Sequence, residues 1–66
     1  MAIAKVIEII ASSPTSVEHA VISGVAKASE TVKGIEGVWV KDTKAVVKDG
    51  KVTEWRVILA ITFLVQ

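Results

Sequence analysis

Cysteine is absent from this chain, and histidine occurs once, as His19. The first absence excludes disulfides and thiolate metal sites, and the second excludes a histidine-rich zinc site unless several chains share it. No apolar run reaches the length of a membrane span, and residues 1–11 lack the charged start and cleavage site of a signal peptide because Lys5 and Glu8 interrupt them. These absences predict a soluble, intracellular (cytoplasmic) protein that engages no membrane. Neither sign of charge dominates: eight basic and seven acidic side chains leave a net charge of +1. Lys41, Lys44, Lys48 and Lys51 lie close together, but Asp42, Asp49 and Glu54 are interleaved with them, which makes a solvated ribbon and no nucleic-acid footprint.

What is present in excess is apolar surface. At 66 residues the chain is one domain, near the lower limit at which a core holds a fold unaided, yet 52% of it is hydrophobic. Residues 55–66 concentrate this excess. The odd positions from Trp55 to Val65 are all apolar, and the even positions include Ile58, Ala60 and Leu64. A half-buried strand alternates apolar with polar groups, so a run apolar on both faces belongs to the centre of a sheet covered on both sides. One short chain cannot supply both covers, and the second is expected to be another copy of itself.

In chain order, residues 3–10 are rich in β-branched side chains and read as a first strand. Residues 11–15 break it. Pro14 suits a helix start, and Thr15 followed by Glu18 fits a capping box, so either Ser13 or Thr15 is the expected N-cap. The helix is expected to run to about Lys33, with Val17, Ala20, Val21, Gly24, Val25, Ala28 and Val32 as a stripe of small apolar residues, and Gly34 as its C-cap. Gly24 weakens helix propensity, and close packing on a sheet is the reason for it. Residues 37–47 form the second strand, and Asp49-Gly50 between two β-branched runs signals a tight hairpin into a third. The fold class is therefore α+β: β-α-β-β, a three-stranded antiparallel sheet packed on one helix.

A two-residue loop at Asp49-Gly50 pairs Lys48 with Lys51. Counting outward sets Trp39 opposite Ala60, Thr43 opposite Arg56 and Gly37 opposite Thr62. One face then holds Val38, Val40, Val46, Trp55, Val57, Leu59 and Ile61 under the helix, with Asp42 and Lys44 as its only charges. The other holds Gly37, Trp39, Lys41, Thr43, Ala45, Arg56, Ile58, Ala60 and Thr62, and is the face expected to meet neighbours or a ligand. A bulge would invert the assignment beyond it, since one inserted residue flips every later side chain.

The segments KVIEIIASSP at residues 5–14, SVEHAV at 16–21, ASETVKGI at 28–35 and VTEWRVILAITFLV at 52–65 resemble, in order and spacing, the dodecins. These are small β-α-β-β proteins that assemble as hollow dodecamers. The resemblance implies a homododecamer that holds a flavin (FMN, FAD or riboflavin) between subunits. In the flavin-binding members a tryptophan stacks on the isoalloxazine and a glutamine hydrogen-bonds it. An ungapped match puts these positions at Gly37 and Arg56, so neither residue is retained, and arginine offers only donors where glutamine offers both. Trp39, two residues on and on the same sheet face as Gly37, is the candidate replacement. A second group in the family lacks the stacking tryptophan and is described as calcium-binding; Gly37 and the PTSVEHA segment at residues 14–20 are similar to that group.

The expected cofactor-binding residues are thus Gly37, Trp39 and Arg56, and the expected ligands of a divalent cation, calcium or magnesium, are Glu18 and Asp42. Two roles are open to Trp39: a stacking platform, or burial at a subunit contact. Arg56 suits either an anionic ligand such as a flavin phosphate or an acidic group of a neighbour. Trp55 is read as structural and His19 as a surface or interface residue. Glu8 and Glu18 are ordinary strand and cap charges unless symmetry crowds copies together, when they would favour a cation. No catalytic constellation accompanies them: His19 has no nucleophile pattern nearby and no phosphate-cradling glycine loop follows a strand. The sequence therefore supports a non-enzymatic assembly that sequesters a small ligand, or alternatively a structural shell without organic cofactor, ordered by metal ions.

Overall fold

The computed structural model describes residues 3–65; Met1, Ala2 and Gln66, the last residue of the expected third strand, lie outside the described residues. Four elements follow in order: β1 (Ile3–Ser13), α1 (Val17–Ala28), β2 (Ile35–Lys48) and β3 (Lys51–Val65). The strands form one antiparallel sheet in the order β1-β3-β2, so the apolar C-terminal run is the central strand and the β-α-β-β expectation holds. Among the described residues no helix is long and apolar enough to cross a membrane.

The core is narrow. Val57, Leu59 and Ile61 on β3 and Ala20 on α1 are fully buried, with Ile7, Ile9 and Ala11 of β1 packed around them. The small residues of the helix let it descend onto the sheet: a Cβ built at Gly24 would stand 2.9 Å from the Cβ of Ala11 and 3.0 Å from Cδ1 of Leu59. The helix lies over β1 and β3 and scarcely reaches β2. This corrects the wider core expected from the hairpin count, because Val38 and Val40 remain 37% and 40% exposed. A single helix is about 10 Å across, close to the width of two strands and less than that of three with their side chains.

The ends of the helix also differ from expectation. Ser16 is the N-cap, its hydroxyl accepting the His19 N–H at 2.9 Å. Ser13, one of the two expected caps, serves the turn before it. Its oxygen accepts the Thr15 N–H at 3.0 Å and makes a 2.7 Å hydrogen bond with Nδ1 of His19, although Ser13 is only 2% exposed. Glu18 stays in the first turn, where the helix dipole favours a carboxylate. The helix stops at Ala28 with Ser29 as C-cap, short of the expected Lys33. Gly34 is not the cap. It turns the chain into β2 at φ 77°, and a Cβ there would meet the Leu64 carbonyl oxygen at 3.0 Å, so positive φ and a close strand together require glycine.

At the hairpin, Asp49 and Gly50 both take positive φ, 53° and 75°, the signature of a type I′ turn. Lys48 pairs with Lys51 as counted, but the register then shifts twice before Gly37 is reached and a third time beyond it, between Gly37 and Ile35. Thr53 is an extra residue on β3, so that Val46 meets Glu54; Lys41 is an extra residue on β2, so that Val40 meets Leu59. The two shifts cancel. Trp39 therefore does face Ala60 and Gly37 does face Thr62, whereas Thr43 lies opposite Val57, not Arg56. Between the bulges every side chain is turned over: Asp42 and Lys44 share the face of Ile58 and Arg56, away from the helix, while Thr43 and Ala45 take the helix side. The expected charges on the core face are thereby removed from it.

Two stability outcomes follow from this packing. Leu59→Ala should cost about 3 kcal/mol, as truncation of fully buried leucine does, measured by urea unfolding at fixed protein concentration. Gly24→Ala should gain about 1 kcal/mol of helix propensity and still be less stable by about 1 kcal/mol or more. A variant more stable than the parent would show that helix and sheet can separate without loss.

Candidate functional site

Among the described residues, no other element of this chain covers the face of the sheet turned away from the helix. Across it run rows of one residue from each strand: Val6, Thr62 and Gly37; Glu8, Ala60 and Trp39; Ile10, Ile58 and Asp42; Ser12, Arg56 and Lys44. Val6, Ile10 and Trp39 are 58%, 69% and 68% exposed, an apolar surface larger than a lone small chain usually presents to water. Period-2 alternation puts these side chains here, because β3 sends its odd residues to the helix and its even residues outward.

Trp39 is the one large aromatic of this face. Beside it, about 7 Å along β2, Gly37 has no side chain, and no atom lies within 4 Å of where its Cβ would be. The indole thus borders an open slot. On its own row, Ala60 is only 4% exposed although it points outward. The chain covers this alanine with a bridge: Nζ of Lys41, turned outward by its bulge, reaches across β3 to Oε2 of Glu8 at 2.7 Å. Glu8 stands on the far side of Ala60 from Trp39.

Of the residues expected to bind a cofactor, the fold therefore brings Gly37 and Trp39 together and leaves Arg56 apart. Arg56 shares their face but sits four residues along β3 from Ala60, about 13 Å away, with its guanidinium donating to Glu54 at 3.2 Å. The two expected cation ligands are on opposite sides of the sheet. Glu18 lies on the helix, and Asp42 is on the uncovered face with one carboxylate oxygen accepting the Thr43 N–H at 2.9 Å. Among the described residues no three histidine, cysteine, aspartate or glutamate side chains are grouped so as to hold a metal ion within one chain.

Two contacts were not legible in the sequence. The Glu8–Lys41 bridge joins residues 33 apart and depends on the bulge at Lys41, for which nothing in the local sequence is a signal. The Ser13–His19 contact brings a hydroxyl to the single imidazole, with Ser23 at 3.5 Å from the other ring nitrogen. Its place under the helix start and the Thr15 N–H on the same oxygen make it a latch between β1 and α1. A groove of about 560 Å³ follows the outer edge of β1 against the helix, past Ala11, Gly24 and Ala28. It contains no aromatic ring.

The family model for Dodecin matches residues 3–66. Among solved structures, dodecin from Streptomyces coelicolor superposes with a TM-score of 0.94 at 29% identity, covering 98% of this chain and 93% of that one. Dodecin from Streptomyces davaonensis gives a TM-score of 0.93 at 25% identity, covering 98% and 96%. A variant of the Thermus thermophilus dodecin, at 23% identity and a TM-score of 0.94 over 100% of this chain and 98% of that one, shares the fold. Comparison with curated proteins found no match.

Because Trp39 projects into solvent from an edge strand, Trp39→Ala should leave the far-UV circular dichroism of the helix and sheet unchanged. Assembly or ligand binding should change instead. A variant that kept both its oligomer and its ligand would make the indole incidental.

Proposed function

Because the chain belongs to the dodecin family, whose members are flavin-binding storage proteins and not enzymes, we propose that it forms a homododecamer that sequesters flavin in sites made between subunits, with Trp39 as the stacking platform. The observation that carries this reading is the exposed indole of Trp39 beside the empty position at Gly37 on an uncovered sheet face. An aromatic ring pressed onto an indole gains about 0.5 to 1.5 kcal/mol beyond its buried area. The slot over Gly37 gives such a ring room to approach. Symmetry-related copies close the face, covering Val6 and Ile10 and excluding water from the ligand. Arg56, remote from Trp39 within one chain, serves the anionic end of a phosphorylated flavin bound by a neighbouring copy or pairs with a neighbour's carboxylate. The bound flavin is stored; no side chain here is arranged to turn it over.

A second reading is a shell without organic cofactor, ordered by calcium or magnesium. It is favoured by the bulge that turns Asp42 from the core to the uncovered face, where copies of it can meet around an axis. Glu18 would be the corresponding ligand on the helix side. Each chain supplies few oxygens, so several chains or water must complete the six to eight that calcium takes.

Native mass spectrometry of the purified protein, followed by titration of riboflavin with its fluorescence as readout, separates the two. Twelve chains and quenched flavin emission are expected. Twelve chains with only metal-sized mass additions and unquenched riboflavin at micromolar concentration would overturn flavin storage in favour of the ion-ordered shell, and a smaller species would overturn the assembly.

A further inference from the structure

We propose that the free end of the β2–β3 hairpin, residues 46–54, docks on a second copy of this chain, its paired Val47 and Val52 lying on the strip of β2 that the helix leaves uncovered. The inference rests on the reading of the chain as a self-assembling one. It names a contact on the helix side of the sheet, apart from the face that carries Trp39.

The arm follows from unequal strand lengths. β1 pairs with β3 only as far as Ser13 opposite Trp55, and the chain then turns up into the helix. β2 and β3 run on, paired only with each other, to Lys48 and Lys51. The described chain is accordingly 51 Å long but 19 by 14 Å across. Val47 and Val52 face each other on this arm and are 60% and 50% exposed. Alternation from Ala45, past the outward Val46, returns Val47 to the helix side. A two-stranded hairpin by itself is marginal in water, and this one presents two valines to solvent.

The receiving strip lies on the same side of the sheet. The helix packs on β1 and β3 and scarcely on β2, which leaves Val38 and Val40 37% and 40% exposed. Ser23 and Lys27 line the groove at the outer edge of β1, and Ala20 and Gly24 face the sheet. Helical spacing then sets Ile22 and Val25 on the flank beside β2, with Ile22 63% exposed. Two valines abreast, about 5 Å apart, fit between this flank and the strand.

Three arguments make the occupant another copy. Val47 and Val40 lie on one strand about 20 Å apart, so no arm reaches its own strip. An arm laid antiparallel along the strip carries Lys48, Asp49 and Lys51 to the head of β2, where Glu36 and Lys33 offer the opposite charges. Lys48 and Lys51 stand directly opposite each other, a like-charge pair that a carboxylate relieves. Finally, a single two-fold contact stops at two chains, so a closed shell of twelve needs a second, different contact. The arm supplies one that leaves the Trp39 face for the other.

The chain has no cysteine, so introduced pairs report the contact alone. Val47→Cys combined with Val38→Cys or Val40→Cys should give disulfide-linked chains on a non-reducing gel after mild oxidation. Within one chain those positions are too far apart to bridge. Val47→Thr with Val52→Thr, which keeps β-branching, should lose the twelve-chain species in native mass spectrometry while the far-UV circular dichroism stays unchanged. A twelve-chain threonine variant, or double cysteine variants whose chains stay unlinked, would overturn the docking and leave assembly through other surfaces intact. A parent found as a single chain would overturn the assembly and this inference together.

Discussion

The structure depends on the pressing of one short helix of small side chains onto the middle of a sheet wider than itself. Ala20 and Gly24 bring the helix axis close enough that Val57, Leu59 and Ile61 lose all contact with water. Hydrophobic burial scales with area removed from solvent, and this contact concentrates it on β1 and β3. Outside that footprint large apolar side chains are left wet: Val38 and Val40 on the helix side of β2, and Val6, Ile10 and Trp39 on the reverse face. In a 66-residue chain without cysteine, so much wet apolar surface is what association with further copies would cover.

Two bulges decide what that reverse face contains. An uninterrupted hairpin would put the Asp42 carboxylate and the Lys44 ammonium on the helix side of the sheet, beside the apolar core. The extra residue at Thr53 turns them out, and the extra residue at Lys41 restores the alternation before Trp39 is reached. The second bulge also delivers Lys41 to Glu8. The register and the Glu8–Lys41 bridge are thus consequences of one pair of compensating insertions.

At the two positions matched to the flavin contacts of the flavin-binding members, this chain differs. This chain has glycine where the stacking tryptophan of those members is matched and arginine where their glutamine is matched. It nonetheless keeps an indole on the same face one alternation along the strand, with the vacated position open beside it. An acceptor and a donor stand at the other end of the row as two charged side chains.

Much of this was decided by the sequence alone, and for local reasons. Asp49-Gly50 fixes its own turn because few residue pairs tolerate two successive positive φ values. The run from Trp55 to Val65 identifies the central strand because a run apolar on both faces suits a strand paired on both edges. Trp39 beside Gly37 on the uncovered face was legible too, because the two shifts cancel before reaching them. What the tertiary structure decided is non-local. Bulges arise where cross-strand pairing competes with burial, and neither Thr53 nor Lys41 advertises that competition in its neighbours. The helix ends where its stripe leaves the sheet, at Ala28, although Val32 and Gly34 extend the pattern along the chain. Which row holds an ion pair, and which strands the helix reaches, follow from lateral distances that no one-dimensional spacing contains.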